Sequence, residues 1–369
     1  MACGRMANIF YYEKRLERML KMMSDLSVDA ALIAEPAAAQ YFTGLNLAFL
    51  GVAMPTLITR QGKVFVFARP IEAAEAGDDA LLGEVVEGPA DPVRLEVFIL
   101  EHLASLGIKK LGIDYTKTPY TLLQRLSGRL DTLKDIGSDL EKLRARKDLL
   151  ELQNIIRAIA ATEKAQARAK AMMSEGAMEC AVSAAAVIEI LNGGAEWFSF
   201  PPLVASGIRS AYPHGMPTQK QLRRGEMVFV DLGARFNGYW SDVTRTYVVG
   251  PADERQLKLY SVINEAIEVA EDAVRPGANA RDVDASARRV IRRRGYGKYF
   301  VHGVGHGIGI SPGYPVLGPS SHDVLEEGQT ITIEPGIYIQ NYGGIRIEED
   351  VLVTKDGAHQ LTTFPRSLE

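Results

Sequence analysis

Four acids and one histidine stand where the pattern of the chain gives them chemical work. Asp231 follows the apolar run 227–230, and Glu334 follows the run 330–333. An acid at the end of such a strand is costly unless it is paired or metal-bound. After each, the chain turns through glycine-rich residues and returns with a second acid. These are Asp242 in Gly238-Tyr-Trp-Ser-Asp242 and Glu348 in Gly344-Ile-Arg-Ile-Glu348. Hairpins of 11 (242 − 231) and 14 (348 − 334) residues can set their two ends side by side. Four carboxylates in one site cannot all stay ionised without counter-charge, and two divalent cations supply about +4 against their −4. Oxygen-rich ligation with one imidazole favours Mn2+, with Co2+, Fe2+ or Zn2+ as competitors. The imidazole candidate is His306, in His302-Gly-Val-Gly-His306-Gly-Ile-Gly309. Its flanking glycines let backbone and substrate approach closely.

An internal repeat must position these residues. Gly176-Ala-Met-Glu-Cys-Ala-Val-Ser-Ala-Ala-Ala aligns with Gly277-Ala-Asn-Ala-Arg-Asp-Val-Asp-Ala-Ser-Ala, an offset of 101 (277 − 176). Gly225-Glu-Met-Val-Phe-Val-Asp-Leu-Gly233 aligns with Gly328-Gln-Thr-Ile-Thr-Ile-Glu-Pro-Gly336, an offset of 103 (328 − 225). Each half reads as helix, glycine turn, helix, then β-hairpin. A repeat of about 100 residues is too long for a solenoid unit. It fits two αβ halves around a pseudo-dyad, with the hairpins in one shared sheet and both acid pairs brought together.

Upstream, Leu16, Met19, Leu20, Met23 and Leu26 fall at helical spacing. Residues 30–34 read as a buried strand, and 57–59 with 64–68 as a hairpin around Gly62. A helix over 95–106 and a strand over 110–114 complete a small α/β domain. The charged run 139–147 reads as a solvated helix face. It leads into a long helix with Leu149, Leu152, Ile155, Ile156 and Ile159 on one face. A boundary near Glu141 divides the chain into domains 1–140 and 141–369.

Composition narrows the partners. A chain of 369 residues suggests two domains at about 100–200 residues each. Lys plus Arg total 42 against 46 Asp plus Glu, so the net charge of −4 gives no broad cationic surface for nucleic acid. The basic run 288–298 reads instead as a solvated helix face ending at Gly295. Cys3 and Cys180 make neither a disulfide framework nor a thiolate metal site. The N-terminus lacks a signal-peptide pattern, and the apolar stretch 47–58 is too short to span a membrane. These features predict a soluble, cytoplasmic protein. His102 and His359 read as surface residues.

At its acids, His306 and several flanking motifs the chain resembles the pita-bread metallopeptidases, specifically the Xaa-Pro peptidases (prolidase and aminopeptidase P). The matching stretches are Ala211-Tyr-Pro-His-Gly215, Val230-Asp-Leu-Gly233, Gly238-Tyr-Trp-Ser-Asp-Val-Thr-Arg-Thr246, Gly305-His-Gly-Ile-Gly309, Ile333-Glu-Pro-Gly-Ile-Tyr338 and Gly344-Ile-Arg-Ile-Glu348. Tyr41-Phe-Thr-Gly44 and Leu143-Arg-Ala-Arg-Lys147 resemble the family's smaller domain. The resemblance implies a two-domain α/β fold, with a creatinase-like N-terminal domain before a pita-bread α+β domain carrying the pseudo-two-fold repeat. It implies Asp231, Asp242, His306, Glu334 and Glu348 as ligands of two metal ions, with Asp242 and Glu348 bridging. It implies His214 as the histidine that stabilises the tetrahedral intermediate, and Glu334 as proton shuttle. His302 and Arg346 match positions near the substrate, and Thr244 a hydroxyl close to the metals. A homodimer is implied as well.

The expected activity is hydrolysis of Xaa-Pro bonds, as dipeptidase or aminopeptidase, by a hydroxide bridging two cations that lower the pKa of their shared water. Arg346 could grip a substrate carboxylate or form an ion pair with Glu349 or Asp350. One departure stands out. Where the family continues into a His-Glu pair, this chain reads Ile310-Ser-Pro-Gly-Tyr-Pro315. His322 lies nearby on an expected loop and is the only sequence candidate to replace the lost histidine. The departure keeps open a hydrolase of a non-peptide amide on the same scaffold, similar to ectoine hydrolase. A non-catalytic binding relative is the alternative of another class.

Overall fold

The computed structural model describes residues 2–46, 52 and 54–368, without the side chains of residues 2–7. The side chain of Cys3, and residues 47–51 and 53 of the apolar stretch, lie outside what is described. The chain forms two compact units, Met1–Arg144 and Ala145–Glu369.

The first unit holds α1 (Ala2–Asp25), β1 (Ala30–Ile33), α2 (Pro36–Thr43), β2 (Thr56–Thr59), β3 (Val64–Ala68), α3 (Pro70–Asp79), β4 (Glu84–Glu87), α4 (Pro92–Ser105), β5 (Lys110–Ile113), α5 (Tyr120–Leu126), β6 (Thr132–Asp135) and α6 (Gly137–Ala145). Its strands form one six-stranded sheet in the order β4-β3-β2-β1-β5-β6. The hairpin β2–β3 is antiparallel, while β1–β5, β5–β6 and β3–β4 are parallel. Parallel pairs need helical crossovers that cover the sheet, so β1, β2 and β3 are buried throughout. His102 departs from its expected surface place. Its ring packs edge-on against Phe65 and Phe67, because its helix face turns to the sheet. The charged run at 139–147 is also not wholly solvated, since Arg144 pairs with Glu35 at 3.1 Å.

The second unit is built twice over. The first half runs α7 (Leu149–Ala171), α8 (Glu179–Asn192), β7 (Trp197–Phe198), β8 (Leu203–Ser206), β9 (Met227–Leu232), β10 (Ala234–Phe236), β11 (Tyr239–Trp240) and β12 (Val243–Val248). The second runs α9 (Glu254–Ala273), α10 (Ala280–Arg293), β13 (Gly305–Gly307), β14 (Gly313–Leu317), β15 (Thr330–Ile333), β16 (Gly336–Ile339), β17 (Gly343–Arg346), β18 (Glu349–Thr354) and β19 (Gly357–Gln360). The halves match in detail. Asp148 and Asp253 each cap the first helix through a reciprocal capping box. Gly176 and Gly277 both turn at positive φ, at 88° and 85°. Isolated bridges then join Met178 to Gln221 and Asn279 to Val324 at equivalent places.

The strands do not form the single shared sheet expected. They divide into β12-β9-β8, β11-β10-β7, β14-β13-β15-β18-β19 and β16-β17. Side chains largely bridge the seam between the halves. Thr246 Oγ1 donates to the Arg346 carbonyl at 2.8 Å and accepts from the Arg346 N–H at 3.1 Å. Leu149 and Ile156 are exposed rather than buried; the buried stripe of α7 runs instead through Ile155, Ala158, Ile159, Ala161 and Ala165. On α10 the helix ends as expected at Gly295 (φ 86°). Arg288 is partly buried rather than fully solvated: it pairs with Asp284 at 2.7 Å and donates to the carbonyls of Phe300 and His302. Among the described residues, no helix is long and apolar enough to cross a membrane.

Candidate active site

The strands that carry the four acids converge on a cavity of about 770 Å³ within the second unit. Asp231 sits on β9, cross-strand from Thr244 on β12. Asp242 immediately precedes β12. In the second half, Glu334 follows β15 and Glu348 precedes β18, extending the ladder that pairs Ile333 with Glu349. All four line the cavity with His214, His302, His306 and Arg346. Ligand atoms of Asp242, His306 and Glu348 lie within 4.8 Å of one another. His306 Nε2 stands 3.8 Å from Asp242 Oδ2 and 3.7 Å from Glu334 Oε1. His306 Nδ1 lies 3.0 Å from the Gly307 carbonyl, which can only accept. A proton therefore sits on Nδ1, and Nε2 is the ring nitrogen turned to the acids.

The electrostatics of the bare cluster are unfavourable. Burial, then repulsion from Glu348, Asp231 and Glu334, pushes the Asp242 carboxyl well above the usual range. Burial and the charges of Glu334 and Asp231 do the same to Glu348. Burial also raises Glu334, although His306 and Arg346 oppose it. Asp231 Oδ1 and Asp242 Oδ1 are buried without any hydrogen-bond partner. Orphaned carboxylate oxygens beside an imidazole nitrogen are the donor set of a hard divalent cation, so the residues fit the metal ions expected.

Around the acids runs a fixed hydrogen-bond chain. Arg346 is 3% exposed. It pairs with Asp231, not with Glu349 or Asp350. Its Nε donates to Thr244 Oγ1 at 3.0 Å, and Nη1 to the Pro213 carbonyl and Tyr338 Oη. Thr244 Oγ1 in turn donates to Glu348 Oε2 at 2.7 Å. Burial, aided by Arg346, lowers the His302 pKa to about 4, so its ring is neutral. Its Nδ1–H donates to the Gly303 carbonyl at 2.7 Å, leaving Nε2 to accept from the Tyr338 hydroxyl at 2.9 Å. Both nitrogens of His302 are thus engaged.

Sequence reasoning missed three participants. Tyr338 stands in a quoted motif, but nothing marked its hydroxyl as the link between His302 and Arg346. Asp350, 0% exposed, accepts from the Asp242 N–H at 3.0 Å. Its signal was the period-two alternation from Glu348 along the strand. Arg245, also buried, gave no signal beyond its motif. His322 stays on the loop before Val324 and does not line the cavity, whereas Val316 does.

Comparison with known proteins agrees with this geometry. Residues 153–355 match the model of metallopeptidase family M24, and residues 15–146 that of the creatinase/prolidase N-terminal domain. The Xaa-Pro dipeptidase of Pyrococcus furiosus is 35% identical, over 96% of this chain and 99% of its own. The crystal structure of the prolidase from Pyrococcus horikoshii OT3 superimposes with a TM-score of 0.88 at 34% identity, covering 96% of this chain and 100% of that one. The X-Pro aminopeptidase from Thermotoga maritima MSB8 gives a TM-score of 0.88 at 30% identity, covering 96% and 98%. Two acid pairs, one imidazole and a family match across both units lead to one conclusion: the chain belongs to metallopeptidase family M24 and carries a creatinase/prolidase-type N-terminal domain.

Proposed function

We propose that the chain hydrolyses Xaa-Pro peptide bonds with two divalent metal ions held by Asp231, Asp242, His306, Glu334 and Glu348. The observation that carries this reading is the convergence of those five residues in one cavity beside His214. The end-to-end likeness to an Xaa-Pro dipeptidase supports it. An oxygen-rich set with one imidazole favours Mn2+ as the native ion. Two widely spaced cysteines favour the cytoplasm.

When bound, the ions supply Lewis-acid polarisation of the scissile carbonyl and acidify the attacking water. The protein's own groups do the rest. A carboxylate oxygen of Glu334 takes the water's proton and passes it to the leaving nitrogen. His214, at the cavity wall, donates to the developing oxyanion. Arg346 holds Asp231 on one side and Thr244 on the other, so the acid does not swing when charge moves. His302 contributes its ring edge to the wall. Phe200, Pro201, Leu203 and Val301 line the apolar remainder, a suitable seat for a pyrrolidine ring.

A second reading, hydrolysis of a non-peptide amide, is favoured by one observation. Val316 pairs directly opposite His306 across β13 and β14. Cross-strand partners face the same side of a sheet, so an apolar side chain lines the cavity opposite the imidazole, directly after the segment 310–315 that lacks the expected His-Glu pair. The deciding experiment assays Xaa-Pro dipeptides, Xaa-Pro-Yaa peptides and non-peptide amides side by side with Mn2+-loaded protein. Cleavage of the first two groups is expected, and Glu334→Gln should reduce it by at least about a hundredfold. Cleavage of the last group alone would overturn the main reading, and near-normal turnover in Glu334→Gln would remove the shuttle.

A further inference from the structure

Behind the acids lies a second charge cluster that no step above uses. Arg245 is 1% exposed and does not line the cavity. Its neighbours Thr244 and Thr246 face the site residues, so alternation along β12 turns Arg245 to the other side. Its Nη1 donates to the carbonyls of Thr244 at 3.0 Å and Glu348 at 2.7 Å. Nη2 donates to Glu349 Oε2 at 3.0 Å and to the Phe364 carbonyl at 2.6 Å, and Nε donates to the Pro365 carbonyl at 3.2 Å. One side chain thereby ties the first half, the second half and the segment 361–368.

That segment is itself anchored. Thr362 Oγ1 donates to Glu349, and Arg366 Nε donates to Glu349 at 2.6 Å. Arg366 also reaches Glu271 on α9 at 2.7 Å. Thr363 and the Phe364 N–H donate to Glu163 on α7. The Val248 N–H donates to the Leu368 carbonyl at 2.9 Å.

We propose that Arg245, seated by segment 361–368, is a positioning residue that fixes Glu348 against Asp242 and so sets the site's affinity for divalent cations. The inference rests on the metal-site reading above. β12 and β18 belong to different sheets, so no continuous ladder holds the first pair of acids to the second. The backbone link at this point is the Glu348 N–H to the Thr244 carbonyl, at 3.1 Å. The Arg245 fork clamps the two residues that make that link. A lysine ammonium at the same place keeps the charge beside Glu349 but cannot span the two carbonyls and the tail together.

The test uses the full chain, stripped of metal and titrated with Mn2+ by calorimetry, with melting curves alongside. Arg245→Lys is compared with Arg366→Gln, which loosens Glu349 but leaves the carbonyl bonds of Arg245 in place. Both are expected to melt earlier. Arg245→Lys should weaken Mn2+ binding at least about tenfold, the usual effect of losing a partner that orients a ligand, and Arg366→Gln less than about threefold. Unchanged affinity in Arg245→Lys overturns the inference and leaves the metal site standing. Equal losses in both variants overturn it too, since they mark general loosening. Failure of the parent protein to bind Mn2+ overturns the metal-site reading itself. If Arg245→Lys does not fold, Arg245→Gln takes its place, since its amide can donate to one of the two carbonyls but cannot span both: a loss of about tenfold or more, larger than that of Arg366→Gln, supports the inference, and a smaller one overturns it.

Discussion

At the residue scale, the acids were legible because the repeat places them at equivalent strand ends, where a lone carboxylate makes no physical sense. Their partners were not. Alternation along a strand says which face Arg346 occupies, but not that Asp231 rather than Glu349 lies across from it. That depends on how two sheets meet, which no local pattern encodes. Thr244 shows what such contacts are worth. Its hydroxyl gives its proton to Glu348 and accepts from Arg346, both in a buried setting. Thr244→Val keeps the shape and leaves both partners unmet. It should destabilise the metal-free protein by about 1–3 kcal/mol, read as a fall in the urea midpoint. A variant as stable as the parent would mean that neither bond matters to the fold.

At the element scale, the glycines flanking His306 have a sharper reason than substrate access. A Cβ at Gly305 would collide with the Thr332 carbonyl of β15, and one at Gly307 with the Tyr314 carbonyl of β14. The strand carrying the imidazole is squeezed between two backbones. Gly305→Ala must therefore push β13 from β15 and move His306 off the acids. The expected result is a lowered melting point together with metal content well below that of the parent, measured by elemental analysis. Full metal occupancy at an unchanged melting point would contradict the squeeze. The hairpin of the first unit was readable from turn chemistry at Gly62. The burial stripe of α7 was misjudged at Leu149 and Ile156, which fall off the face carried by Ile155, Ala158, Ile159, Ala161 and Ala165.

At the scale of the whole molecule, the cluster makes stability depend on pH and metal together. Burial and mutual repulsion raise Asp242, Glu348 and Glu334, so the folded metal-free protein binds protons more tightly than the unfolded chain. An acid raised in this way destabilises the fold progressively as pH climbs from its unfolded value, about 4, through its folded one. His302 acts in the opposite sense: its pKa of about 4 withdraws stability as pH falls below about 6.5. The difference between metal-loaded and metal-free melting points cancels His302 and leaves the ligand set, the four acids together with His306. That difference should widen from pH 5 to pH 8 in thermal scans. A constant gap would show that the carboxylates do not repel one another as their placement requires.

The repeat has one more consequence. Each half brings two of the four acids, and one pair is only half a cage for two cations. Separate polypeptides carrying the two halves would have to find each other, and dilution would pull them apart. Residues 249–253 join β12 to α9 and hold the halves on one short tether. A short tether of this kind presents each half to the other at an effective concentration of about a millimolar or more. Completing the cage is therefore a unimolecular event, as complete in a single dilute molecule as in a crowded solution.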